Sequence, residues 1–144
     1  LELALASDPC LAVSAVEIDR GGISYTIDTA RALSAGCGGP YSFVIGTDSL
    51  NELHLWHEAV QLVEECRFLI YRRPAHPPAS RVLLASRFGD GAAGRLLASV
   101  IDDVPEFDIS SSEIREQIIS GESGIDHLHE DVARYIADHQ LYRG

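Results

Sequence analysis

Two short apolar runs, Tyr41 to Ile45 (YSFVI) and Arg67 to Tyr71 (RFLIY), constrain this chain more than anything else in it. YSFVI, a continuous apolar run, predicts a strand buried on both faces, which belongs to a parallel sheet, and RFLIY reads as the next strand. Parallel neighbours need a crossover between them. Leu53 to Glu65 (LHLWHEAVQLVEE) lies between the two and predicts a helix with Val60, Leu62 and Val63 facing inward. Strands alternating with helices give an α/β chain built on a parallel sheet.

Open sheets of this kind bind ligands at the C-terminal ends of their strands. YSFVI ends in Gly46-Thr47-Asp48, which places Asp48 at such an end, positioned to accept hydrogen bonds from a ribose or to help hold a metal–phosphate group. An aspartate after a strand also serves as the N-cap of the next helix. RFLIY ends in Arg72-Arg73-Pro74, adding positive charge at the same edge. Trp56, the single tryptophan, falls near that edge. A lone tryptophan is ordinarily core; beside a strand-end loop it can instead stack on a flat ring, and a cationic ring would gain about 0.5 to 2 kcal/mol. His54 and His57 flank it, and their spacing alone does not make a metal pair, so they are read as surface histidines, as are His127 and His129.

Before the first apolar run, Leu1 to Ala6 reads as the end of a helix broken at Asp8-Pro9, Leu11 to Ile18 as a strand, and Gly21-Gly22 as a turn. In Ser24 to Thr29 (SYTIDT), Thr26 or Asp28 can cap a helix running to about Ala35, with Ile27, Ala30 and Leu33 inward. The Thr26 hydroxyl and the neighbouring N–H groups then either only start a helix or face a polar ligand. Pro77 to Gly94 reads as loop-rich, and Leu96 to Ile101 and Val104 to Phe107 as strand-like.

Ile109 to Arg115 (ISSSEIR) opens the next helix. Ser110 and Glu113 have capping-box spacing, Ile114, Ile118 and Ile119 form an apolar side, and Gly121 supplies the stop. Free backbone N–H groups with the hydroxyls of Ser111 and Ser112 suit an anion. Arg115, a cation that opposes the helix dipole, makes sense with a phosphate between it and the helix end. The same string also suits an ordinary capped helix with a solvated arginine. A short helix near Ile125 to Leu128 and a longer one from Glu130 to His139, with Val132, Tyr135 and Ile136 inward, close the chain.

With 144 residues, 46% of them hydrophobic, there is material for one core and one domain, and no apolar run long enough to cross a bilayer. Three scattered cysteines (Cys10, Cys37, Cys66) without metal spacing are expected as reduced, partly buried thiols of a cytoplasmic protein. A net charge of −11 argues against a general nucleic-acid binder. It does not argue against a nucleotide, because screening over about 8 Å lets a few local arginines outweigh distant carboxylates. With Leu1 first and no methionine anywhere, the expectation is that the chain does not begin at a translation start. The phosphate-gripping first strand–loop–helix expected of a nucleotide-binding α/β domain is not found in these residues.

DRGGISYTIDTARAL, YSFVIGTDSLNELHLWHEAVQLVEECRFLIYRRP, FDISSSEIREQIISGES and DVARYIADHQLY occur in that order. Through them the chain resembles bacterial nicotinate-nucleotide adenylyltransferases from end to end. The ISSSEIR string is shared with other nucleotidyltransferases and marks only the reaction class; SYTIDT, GTDSL with the following tryptophan, and YIADHQLY are more specific together. The resemblance implies a Rossmann-like nucleotidyltransferase fold over residues 1–144, a single domain whose N-terminal strand–loop–helix is missing. It implies transfer of AMP from ATP to nicotinate mononucleotide, giving deamido-NAD and pyrophosphate by direct in-line attack, with Mg2+ required. Trp56 then corresponds to the residue stacking on the nicotinate ring. Thr26, with backbone near Trp56 and His57, corresponds to the nicotinate carboxylate site. Asp48 lies near ribose and phosphates, Arg73 matches the arginine of the family's RRP, and Ser111, Ser112 and Arg115 match the motif gripping ATP phosphates.

The departures are specific. The family's GGTFDP-x-H-x-GH segment is absent, so these residues alone are not expected to complete the sheet or to catalyse well. Ser112 stands where threonine is usual, Ala75 where glycine follows RRP, and His129 where proline is common. ATP and nicotinate mononucleotide are the expected partners, with no nucleic acid or membrane, and a homo-oligomer is left open. The alternatives are a sister enzyme acting on nicotinamide mononucleotide or phosphopantetheine, or a truncated non-catalytic nucleotide-binding or interaction module.

Overall fold

The computed structural model describes residues 1–37, 41–73, 75–102, 109–122 and 125–142, with only the backbone of Cys37. The chain forms two compact units, one of residues 15–106 and one made of residues 1–14 with 107–144.

In the first unit, β1 (Ser42–Gly46), β2 (Arg67–Tyr71) and β3 (Val100–Ile101) form a parallel sheet in the order β1-β2-β3. Ser42 is in register with Arg67, Gly46 with Tyr71, and Ile70 with Val100. Helices supply both crossovers: α4 (Thr47–Glu52), a 3-10 turn (Leu53–Leu55) and α5 (Ala59–Glu65) join β1 to β2, and α6 (Arg81–Phe88) and α7 (Asp90–Ala98) join β2 to β3. The Rossmann-like α/β reading holds.

One face of the sheet carries the core. Ile45, Phe68 and Ile70 are buried with Ile27, Leu50, Leu53, Leu62, Val63, Leu84 and Leu96, and Phe43 and Val100 pack against them. The other face does not match the expectation of a strand buried on both sides. Val44 is 69% exposed and Leu69, its register partner, 43%. Alternate side chains must point to opposite faces, and the buried cluster gathers on the face of Ile45 and Ile70.

Elsewhere the structure corrects several local expectations. Leu11 to Ile18 is not a strand: residues 11–15 have no regular structure, and Val16 opens α2 (Val16–Arg20), which ends at Gly21 with a φ of 67°. Glu17 is instead held against the next helix, α3 (Thr26–Cys37), by the Thr29 hydroxyl at 2.6 Å. Neither Thr26 nor Asp28 caps α3, which begins at Thr26; the Tyr25 carbonyl accepts from the Thr29 N–H at 3.1 Å. Ile27 and Ala30 are buried as expected.

The single helix expected over Leu53 to Glu65 is interrupted: Trp56 is extended and Glu58 left-handed before α5 begins at Ala59. That break resets the helical phase, so Ala59, Leu62 and Val63 face inward and Val60 is 46% exposed.

Pro77 to Gly94 is mostly helical rather than loop. The Ser80 hydroxyl accepts from the Leu83 N–H to cap α6, and Gly89, at a φ of 82°, joins α6 to α7. Small residues let these two helices approach, burying Leu84, Ala92, Ala93 and Leu96. Asn51 fixes the entry by donating to the Pro77 carbonyl at 3.0 Å and accepting from the Ala79 N–H at 2.8 Å. The strand expected from Leu96 is therefore confined to Val100 and Ile101, and Val104 to Phe107 lies outside the described residues.

In the second unit, α1 (Glu2–Leu5) packs with α9 (Glu130–Asp138). The His129 Nδ1 accepts from the Asp131 N–H at 3.2 Å and caps α9, where proline is usual in the family resembled. The helix expected at Ile125 to Leu128 is a turn instead. Ahead of α9 in the chain is α8 (Ser111–Ser120), closed by Gly121 in the left-handed conformation.

Candidate active site

The strand ends of the first unit bring Asp48 and Arg73 together. Gly46 is the last residue of β1 and the N-cap of α4, so Thr47 and Asp48 occupy that helix's first turn and Asp48 is not the cap. A carboxylate there is favoured by the helix dipole. Oδ2 lies 3.6 Å from Arg73 Nη1. Oδ1 is buried and has no hydrogen-bond partner among the described residues. It is tucked over Gly46: a Cβ at that position would overlap it and would stand 3.0 Å from Arg73 Nε. The glycine of the GTD string thus leaves room for the close approach of two charged side chains, which a Cβ would have to shift, while its backbone angles are ordinary extended ones.

Arg73 is held from two further directions. Its backbone N–H donates to Thr47 Oγ1 at 3.0 Å, and Thr47 is fully buried. Its side chain donates to the Tyr71 hydroxyl from Nε at 3.2 Å and from Nη2 at 2.9 Å. The Tyr71 hydroxyl, and after it the Asp48 carboxylate, raise the arginine above its ordinary pKa, so it stays a fixed cation. Arg72 behaves differently, with Nε donating to Asp102 Oδ1 at 2.6 Å. Of the two strand-end arginines, only Arg73 therefore faces Asp48.

A second group lies at the start of α3. Thr26 is half-buried in its first turn. The His57 ring stacks on Tyr25, the residue before Thr26, with centroids 3.9 Å apart and planes 23° from parallel. Trp56 is half-buried and packs against the core, its backbone extended beyond the 3-10 turn. The sequence reading of His57 as exposed holds, as does that of His54. Tyr71, Thr47 and Tyr25 carry no sequence signal of their own; each adjoins a residue that the motifs single out.

Ser111, Ser112 and Arg115 lie on α8 in the second unit. All three are exposed, and Arg115 Nη2 donates to Ser112 Oγ at 3.3 Å. Ser110 is the N-cap, as its spacing predicts, but its side chain makes no capping hydrogen bond. The capping box is therefore not closed, and the first-turn N–H groups receive no acceptor from Ser110.

Magnesium takes oxygen ligands and commonly binds through one or two carboxylates plus substrate phosphates. Among the described residues no cluster of three or more His, Cys, Asp or Glu could cage a metal. The orphaned Oδ1 of Asp48 is a donor atom that fits a metal carried by phosphates, but not one held by protein alone. Among the described residues no helix is long and apolar enough to cross a membrane.

Residues 1–117 match the profile of the cytidylyltransferase-like family. The chain is 38% identical to a "Probable nicotinate-nucleotide adenylyltransferase" of Yersinia enterocolitica, with 100% of this chain and 70% of that protein covered. It is also 38% identical to the protein of the same description from Bordetella pertussis, over 99% of this chain and 70% of the relative. Among solved structures, a Plasmodium falciparum nicotinic acid mononucleotide adenylyltransferase complexed with APC superposes with a TM-score of 0.61 at 21% identity. That match covers 85% of this chain and 60% of the solved one, and it shows the shared fold. A family profile over most of the chain, and relatives matched along all of it, agree with the strand-end geometry: the chain belongs to the cytidylyltransferase-like family and, within it, to the nicotinate-nucleotide adenylyltransferases, which are enzymes.

Proposed function

We propose that the protein carrying this chain transfers AMP from ATP to nicotinate mononucleotide, giving deamido-NAD and pyrophosphate. The observation that carries this reading is the match, along the whole chain, to relatives described by that activity. The strand-end cluster supports it, since it sets a fixed cation beside a carboxylate, one of whose oxygens has no hydrogen-bond partner among the described residues, where parallel sheets bind nucleotides.

In this reading the mononucleotide phosphate attacks the α-phosphorus of ATP. A new P–O bond forms as the bond to the β-phosphate oxygen breaks, and pyrophosphate leaves. No covalent enzyme intermediate is needed, so the protein contributes position and charge. Arg115, with the hydroxyls and N–H groups of Ser111 and Ser112, receives triphosphate oxygens. Asp48 and Arg73 orient ribose and phosphate. Thr26 and the backbone at Trp56 and His57 receive the nicotinate carboxylate, with the Trp56 ring on the pyridine. Mg2+ bound to the ATP phosphates, with Asp48 as the carboxylate available to it, would neutralise part of the triphosphate charge.

The test is product formation by the full-length protein with ATP and each of three acceptors: nicotinate mononucleotide, nicotinamide mononucleotide and phosphopantetheine. Deamido-NAD and pyrophosphate in equal amounts, with nicotinate mononucleotide the best acceptor by kcat/KM, is the expected result. Preference for another acceptor, or no pyrophosphate release with any, would overturn the assignment.

A further inference from the structure

Glu58 combines two features that the proposed chemistry does not use. It has a φ of 49° and a ψ of 43°, a left-handed conformation that residues with a Cβ avoid. It also holds the N-cap position of α5, yet its side chain makes no capping bond. The carboxylate turns instead to α3, where Arg31 Nη1 donates to Oε2 at 3.1 Å. Arg31 is itself anchored by Glu65 at two points, from Nε at 2.9 Å and from Nη2 at 2.7 Å.

The other oxygen of Glu58 stands 3.6 Å from His57 Nε2, and the His57 ring lies on Tyr25. His57 and Glu58 are neighbours in the chain, so a double tether follows: the Arg31–Glu58 ion pair and the stacking of His57 on Tyr25 both lead back to α3. It straps the segment carrying Trp56 and His57 to the helix that begins at Thr26. Arg31, Glu58 and Glu65 have side chains 39 to 44% exposed, and ion pairs in such positions add little to stability. A strained backbone held by contacts of that kind is better accounted for by the geometry it imposes than by the energy it adds.

We infer that Glu58, held by Arg31, is a positioning residue that sets the spacing between Thr26 and the Trp56–His57 backbone, and so the affinity for the acceptor mononucleotide. The inference rests on the proposed acceptor site. It assigns Glu58 no contact with substrate.

The experiment compares Glu58→Gly, Arg31→Gln and Glu58→Gln with the parent in the full-length protein. Glycine adopts the left-handed conformation freely, so Glu58→Gly removes the strap without forcing the backbone. For Glu58→Gly and Arg31→Gln the KM for nicotinate mononucleotide should rise about tenfold, with kcat and the KM for ATP within about twofold of the parent. Glu58→Gln keeps an oxygen for Arg31 and should recover most of the affinity. Unchanged mononucleotide KM in both strap variants, with only Tm lowered, would overturn the inference while leaving the proposed function standing. So would an equal rise in both KM values, which is the mark of general loosening. A parent enzyme that makes no deamido-NAD would remove the proposed function itself, and this inference with it.

Discussion

The end of β1 and the start of α8 carry the same kinds of group, an arginine beside hydroxyls at a helix N-terminus, but in opposite states of order. At the first, Thr47 is fully buried and binds the Arg73 backbone, Tyr71 holds the guanidinium, and Gly46 leaves room for Asp48. At the second, the serines and Arg115 are exposed, the cap residue's side chain is not engaged, and one 3.3 Å contact joins Arg115 to Ser112. The strand-end site is thus assembled by the fold itself. The start of α8 leaves its donors exposed, and in the proposed reaction the triphosphate supplies their acceptor. In the proposed reaction this suits a built cluster that orients ribose and phosphate and a triphosphate site whose charge completes it.

Arg115→Ala separates the two most sharply. Arg115 has no ion pair among the described residues, and if the triphosphate supplies its counter-charge as proposed, kcat should fall about 10²- to 10³-fold while mononucleotide affinity is nearly kept. Steady-state kinetics with each substrate varied would show this, and an unchanged kcat would remove Arg115 from the chemistry. Gly46→Ala tests the other side. A methyl group there must displace Asp48 and Arg73, so kcat/KM should drop roughly 10- to 100-fold with helix content intact. A fully active alanine variant would show that the packing over Gly46 is incidental.

A stability pair refines the contrast. Thr47→Val keeps the shape but leaves the Arg73 N–H without its acceptor, and should cost about 1 to 3 kcal/mol in urea unfolding. Ser110→Ala loses no capping bond and should cost about 0.5 kcal/mol or less. Equal costs at the two positions would erase the distinction between a built site and an open one. The smallest effect is in pH. Hydrogen bonding to Arg31 holds the Glu65 carboxyl below its ordinary value of 4.5. The bond therefore stabilises the fold above that pH and is lost as pH falls through the depressed folded value. Thermal melts below pH 4.5 should show Glu65→Gln less pH-sensitive than the parent.

Much of the site was legible because it lies in strings whose chemistry is local. The run YSFVIGTD already contains a strand, a helix start and a carboxylate, and RFLIYRRP ends a strand in cations. What could not be read is long-range. Nothing in the sequence pairs Arg72 with Asp102, thirty residues on, because that choice depends on the β2–β3 register. The break at Trp56 to Glu58 was hidden because LHLWHEAVQLVEE has helical composition, and only the tertiary contacts of Glu58 and His57 reveal why it bends. Pro77 to Gly94 misled through its glycines and alanines, which mark loops by composition but here allow two helices to pack closely.

Trp56 offers the most direct test of the central claim, because it is this chain's only tryptophan. Its fluorescence in the full-length protein should be quenched saturably by nicotinate mononucleotide, with a Trp56→Phe blank to subtract any other signal. The account predicts a dissociation constant that rises in Thr26→Ala and is unaffected by Arg115→Ala. A protein that turns over normally while nicotinate mononucleotide leaves the Trp56 emission unchanged would contradict it.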